Sequence, residues 1–97
     1  MELTGKQKRF LRSLVVTEEA IVHIGKSGLT ENLVQSAQQA LQARELIKVK
    51  ILNNNEDDKK LVAQALAEAT DSSIVQVIGR NFVLYKRNPE EPKIILP

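Results

Sequence analysis

Ala20-Ile21-Val22-His23-Ile24-Gly25-Lys26-Ser27-Gly28-Leu29-Thr30 is the stretch on which the fold turns. Its first five residues form a short apolar run rich in β-branched side chains, which reads as a strand that stops at Gly25. Thr30 is an N-cap residue, and beyond it Leu33, Val34, Ala37, Ala40 and Leu41 recur at helical spacing, predicting a helix that ends near Ala43 or Arg44. The two are joined by Gly25-Lys26-Ser27-Gly28, a turn with a glycine at each end. A strand passing through a short glycine turn into a helix indicates an α/β domain.

The flanking sequence extends this pattern in both directions. Upstream, residues 4–14 place Leu3, Phe10, Leu11 and Leu14 on one side and Lys6, Lys8, Arg9 and Arg12 on the other, as an amphipathic helix capped by Thr4 does. Downstream, residues 46–52 alternate Ile47, Val49 and Ile51 with Lys48 and Lys50, a strand with one wet side. Asn53, Asn54 and Asn55 break it. Asn55 is the expected cap of a third helix, with Glu56, Asp57 and Asp58 in the first turn and a buried stripe of Leu61, Val62, Ala65, Leu66 and Ala69. Residues 74–78 and 82–86 then read as two strands of a hairpin closed by Gly79-Arg80-Asn81. Residues 88–97 hold three prolines and predict an extended tail in which Ile94, Ile95 and Leu96 dock or pair with an edge. The expected order is α-β-α-β-α-β-β, one compact domain over residues 1–97 with three helices and a mixed four-stranded sheet.

Composition narrows the function classes. A chain of 97 residues is the size of one domain, and 42% hydrophobic with 27% charged residues is ordinary for a globular fold. Phe10, Phe82 and Tyr85 are the only aromatics, so the core is aliphatic and at least one of these rings is expected inside it. Cysteine is absent, which excludes disulfides and thiolate zinc sites and fits a reducing cytoplasm. No stretch approaches the ~18 apolar residues of a membrane span. A net charge of +2 does not by itself argue for nucleic acid, but the charge is unevenly spread. The first sixteen residues carry Lys6, Lys8, Arg9 and Arg12 against Glu2, while residues 56–71 are predominantly acidic.

The glycine loop carries the most informative chemistry. Glycines allow close backbone approach to a ligand, a helix N-terminus offers free N–H donors, and Lys26 and Ser27 add a charge and a hydroxyl, so the loop suits phosphate. The same residues also make an ordinary strand-to-helix turn. Gly25-Lys26-Ser27 matches the end of a nucleotide-binding P-loop, yet the position of that motif's first glycine is Ala20 and strand residues fill the span that should wrap phosphate. A KH domain clamps nucleic-acid backbone with a G-x-x-G loop, but between two helices. His23, the single histidine, has no partners at metal-ligand spacing, and no catalytic constellation is evident.

Four blocks of the chain, in order, carry a family resemblance. They are Leu3-Thr4-Gly5-Lys6-Gln7-Lys8-Arg9-Phe10-Leu11-Arg12, Ile24-Gly25-Lys26-Ser27-Gly28-Leu29-Thr30-Glu31-Asn32, Arg44-Glu45-Leu46-Ile47-Lys48-Val49, and Gln76-Val77-Ile78-Gly79 followed by Val83-Leu84-Tyr85. Across residues 2–87 the sequence resembles the CRM domain (chloroplast RNA splicing and ribosome maturation), which stands alone in bacterial YhbY-type proteins. The resemblance implies a fold like the C-terminal domain of translation initiation factor 3. It also implies association with precursors of the large ribosomal subunit and an RNA-binding surface that includes the glycine loop. One departure is Val15-Val16-Thr17-Glu18-Glu19-Ala20, where relatives usually carry small, histidine and proline residues. Two acids there face the edge of the implied surface.

The expected RNA contacts are therefore Lys6, Lys8, Arg9, Arg12, Gly25, Lys26, Ser27, Gly28, Thr30, Arg44 and Arg80. Lys48 and Lys50 either extend this surface or cover a sheet face with their aliphatic stems. The expectation is an RNA-binding assembly factor, monomeric, without cofactor, metal or membrane association, and not an enzyme. The residues alone leave two other classes open, a protein-interaction adaptor and a small phosphate-handling enzyme.

Overall fold

A computed structural model describes residues 2–97. The elements are α1 (Gly5–Val15), β1 (Val22–Ile24), α2 (Glu31–Arg44), β2 (Leu46–Ile51), α3 (Lys59–Thr70), β3 (Ser73–Ile78) and β4 (Asn81–Tyr85), in the order expected. Thr4 and Thr30 cap their helices as the sequence predicts. Thr4 Oγ1 accepts from Gln7 N at 3.1 Å and Gln7 Oε1 accepts in return from Thr4 N at 3.1 Å. Thr30 Oγ1 accepts from Leu33 N at 3.2 Å.

The third helix departs from expectation at its start. Its cap is Asp58, whose Oδ1 accepts from Lys60 N at 2.9 Å and Leu61 N at 3.1 Å, so Glu56 and Asp57 precede the helix instead of forming its first turn. Asn55 is drawn inward and tied to the glycine loop. The buried side is also turned from the expected stripe: Val62, Ala63, Leu66, Ala67 and Thr70 are buried, whereas Leu61 is 64% exposed and Ala65 and Ala69 face solvent. Small residues on the inner side let the helix lie close to the sheet.

The sheet order is β1-β2-β4-β3, with β1 parallel to β2 and β4 antiparallel to both of its neighbours. β1, β2 and β3 therefore run the same way, and the loops that follow them lie at one end of the sheet. These are residues 25–30, residues 52–58 and the hairpin turn at Gly79-Arg80.

Each face of the sheet has its own core. On one face Ile24, Val49, Ile51, Phe82 and Leu84 pack under α2 and α3. On the other, Leu46, Val75, Val83 and Tyr85 pack under Leu11 and Val15 of α1, with Ile94 and Leu96 of the tail laid against them. Phe82 and Tyr85 are both interior, at 1% exposure, which removes them from any base-stacking role.

The tail is held by a buried carboxylate. Glu45 closes α2 with a positive φ of 64° and is fully buried, and its carboxylate accepts from the backbone N–H groups of Asn88, Lys93 and Ile94, each at 2.7 Å. Burial pushes the Glu45 carboxyl up, but these backbone donors and the Arg87 charge together outweigh burial and hold its pKa below the ordinary glutamate value. Lys93 Nζ adds a bond to Ala43 O at 2.7 Å, a cation on the last carbonyls of α2. The tail docks through Ile94 and Leu96, while Ile95 is 87% exposed.

Candidate nucleic-acid interface

Residues paired across neighbouring strands share a face of a sheet. The registers put His23 opposite Lys50, Lys50 opposite Asn81, and Asn81 opposite Ile78, so these four side chains form one row across all four strands. The next row is Lys48, Val83 and Gln76, and the one after it Leu46, Tyr85 and Ser73. All three rows lie on the α1 face. Helix α1 and the tail cover the last row, but the first is open: His23 and Lys50 are exposed and Ile78 is 61% exposed. One row of this sheet face is thus uncovered, and it borders the end where the glycine loop lies.

The loop itself is a tight turn, with Gly28 N donating to Gly25 O at 3.0 Å. Its two glycines are not equivalent. Gly28 has φ +70°, which strains any other residue, whereas Gly25 lacks a positive φ and a Cβ there would meet only ordinary contacts with Leu52 and Asn54. Gly25 O also accepts from Asn55 Nδ2 at 2.8 Å, and Asn55 Oδ1 accepts from Asp57 N at 2.9 Å. Arg80 Nη1 in turn reaches Leu52 O at 3.3 Å and Asn55 O at 3.4 Å. Half-buried Arg80 therefore ties the hairpin turn to residues 52–58, and Asn55 ties those in turn to the glycine loop, so Arg80 does not stand free at a hairpin tip.

Electrostatics limit how an anion reaches this end. The N-termini of α2 and α3 both point here, but Asp58 occupies the cap of α3, Glu31 sits in the first turn of α2, and a Cβ at Gly28 would lie 3.7 Å from Asp57 Oδ2. Lys26 and Ser27 are exposed at the tip of the loop.

The expected contact residues fall into separate groups. Arg9 and Arg12 line an open groove between α1 and the sheet, together with Lys48, Gln76, Ile78 and Asn81. Lys8 instead borders a depression with Gln64 and Glu68 near β3 and α3, and Lys6 is exposed near the helix start. Gly25, Lys26, Ser27, Gly28, Thr30 and Arg80 gather at the loop end. Arg44 does not join them, because it precedes β2, and the six residues of that strand separate it from the loop end by roughly 20 Å. Glu18 and Glu19 lie with Leu14, Ile21 and Arg44 on the other side of Lys48, whose Nζ donates to Glu18 O at 2.8 Å. Gln76 was not anticipated from the sequence, since its place beside Val83 depends on a register shift in β3 between Ile74 and Gln76. Among the described residues no helix is long and apolar enough to cross a membrane, and no cluster of His, Cys, Asp and Glu is arranged to hold a metal.

Residues 3–86 match the CRS1/YhbY (CRM) domain. The Bacillus subtilis protein named "Probable RNA-binding protein YqeI" is 50% identical over 98% of this chain and 99% of its own length. An RNA-binding protein of Haemophilus influenzae is 41% identical over 98% of this chain and 95% of its own. The solution structure of the hypothetical protein SAV1595 from Staphylococcus aureus superimposes with a TM-score of 0.82 at 51% identity, covering 99% of this chain and 100% of that one. These relatives are named for RNA binding and not for catalysis, and the chain belongs to the CRS1/YhbY (CRM) domain family.

Proposed function

We propose that this chain binds structured RNA through the uncovered row of its sheet, the tip of the glycine loop and the side of α1 that bears Arg9 and Arg12, and that it does so as a cytoplasmic assembly factor on ribosomal RNA in a precursor of the large subunit. The observation that carries the RNA reading is convergence of charge. Arg9, Arg12 and Lys48 meet around one groove that no carboxylate lines, Lys50 is exposed on the open row, and Lys26 is exposed at the loop tip. The relatives' names support the same partner. The ribosomal assignment rests on the family resemblance in the four sequence blocks.

The contacts in this reading are Lys and Arg side chains with loop backbone, so phosphate recognition dominates affinity. With roughly four to six phosphate contacts, log K should fall by about 3 to 5 per tenfold rise in salt. Filter binding to a ribosomal RNA fragment across a salt series measures that slope, and a flat dependence contradicts the RNA reading. Sedimentation of cell extract tests the ribosomal part, which requires the protein to travel with large-subunit precursors and to leave them in high salt.

A further inference from the structure

We propose that the groove between α1 and the sheet receives one unpaired RNA nucleotide, with the amides of Gln76 and Asn81 reading its base edge. This rests on the RNA-binding reading above and specifies which feature of the RNA is recognised. The groove has a volume of about 660 Å³, an apolar floor that includes Val83 and Ile78, and a rim bearing Arg9, Arg12 and Lys48. That combination fits a nucleotide better than a purely basic surface does, because the cations meet the phosphate while an apolar cleft excludes water from the base.

Two further observations select an unpaired base over a duplex. A duplex needs a broad shallow contact along its minor groove, whereas this cleft is bounded on one side by a helix. Gln76 and Asn81 are half-buried and make no side-chain hydrogen bonds among the described residues. Each amide presents both a donor and an acceptor, the pair of functions that matches a base edge. Phe82 and Tyr85 are interior, so the base would lie between aliphatic side chains and an arginine plane instead of on a ring.

The test uses two RNA hairpins that differ by a single bulged 2-aminopurine. The parent protein should bind the bulged hairpin about tenfold more tightly than the fully paired one, and the 2-aminopurine fluorescence should change on binding. Gln76→Ala with Asn81→Ala should abolish that preference and the fluorescence change, bringing affinity for the bulged hairpin down to that for the paired one, with thermal melting confirming the fold. Ile78→Glu, at an exposed position, places a carboxylate at the groove and should give the same loss if the double variant does not fold. Equal affinity of the parent for both hairpins with unchanged fluorescence overturns the nucleotide pocket but leaves RNA binding standing. Binding to neither hairpin overturns the RNA reading and this inference with it.

Discussion

Replacing Glu45 should release the tail, and the structure sets the size of the effect. The carboxylate accepts three backbone bonds of 2.7 Å while fully buried. Hydrogen bonds to a charged group are worth about 1.5–3 kcal/mol each, but a detached tail regains water on its N–H groups and about 1–2 kcal/mol of backbone entropy per freed residue. The net loss for Glu45→Ala is therefore capped near the free energy of docking the tail, about 2–4 kcal/mol, below the ~3–5 kcal/mol of breaking a buried pair that cannot escape. For a domain of this size that is a fall in Tm of about 10–25 °C. Glu45→Gly separates the two roles of the residue, because glycine relieves the strain at φ 64° and should be about 1 kcal/mol less damaging than alanine. The pH dependence has a definite sign. The folded-state pKa lies below the unfolded one, so ionised Glu45 stabilises fully above the ordinary glutamate range and loses that contribution as pH falls through the lower, folded value. Thermal melts and hydrogen exchange at the Lys93 and Ile94 amides measure both effects. Glu45→Ala within 0.5 kcal/mol of the parent by the ~1 kcal/mol scale of point substitutions, with those amides still protected, refutes the clasp.

The remaining predictions concern the interface and the core. Gly28→Ala should cost about 1–2 kcal/mol because of its positive φ while Gly25→Ala costs under about 0.5, as chemical denaturation would show; equal costs would mean the two glycines share one constraint. Gly28→Val should reduce RNA affinity further than Ser27→Ala does, measured on folded protein, since the loop is approached through its backbone. Arg9→Glu with Arg12→Glu should weaken RNA binding by at least about tenfold and more than Lys6→Glu with Lys8→Glu, because the first pair lines the groove and Lys8 faces Gln64 and Glu68. Tyr85 carries a buried hydroxyl with no hydrogen-bond partner among the described residues, and burial, followed by the Glu45 charge, raises its pKa. Tyr85→Phe should leave stability unchanged or raise it by up to about 1 kcal/mol, and a loss larger than that in urea melts would show that the hydroxyl is satisfied.

The elements that local chemistry specifies were legible in the sequence. Thr4 and Thr30 cap their helices through bonds within three residues, and α2 stops at Arg44, so composition and spacing sufficed there. The start of α3 was not legible, because Asn55 and Asp58 are both good caps and the choice is made by Gly25 O and Arg80, which are distant in sequence. The orientation of α3 misled for a related reason: Leu61 is the larger apolar residue, but Ala63 and Ala67 allow the closer approach to the sheet. The basic residues of α1 were identifiable as a set, yet only packing divides Arg9 and Arg12 from Lys8. The open row of His23, Lys50, Asn81 and Ile78 exists through strand registers, which a single sequence does not display. Arg44 illustrates the same point, since chain direction through β2 sends it to the end opposite the loop.

The most direct test of the account is an amide NMR titration of the labelled protein with a structured ribosomal RNA fragment at low salt. The account predicts that the largest shift changes cluster at Arg9 and Arg12, at His23 through Gly28, at Lys48 and Lys50, and at Gln76 through Asn81. Residues 38–44 and the outer side of α3 should stay unchanged. Changes centred on Arg44 and the tail, or spread evenly over both faces of the sheet, would contradict it.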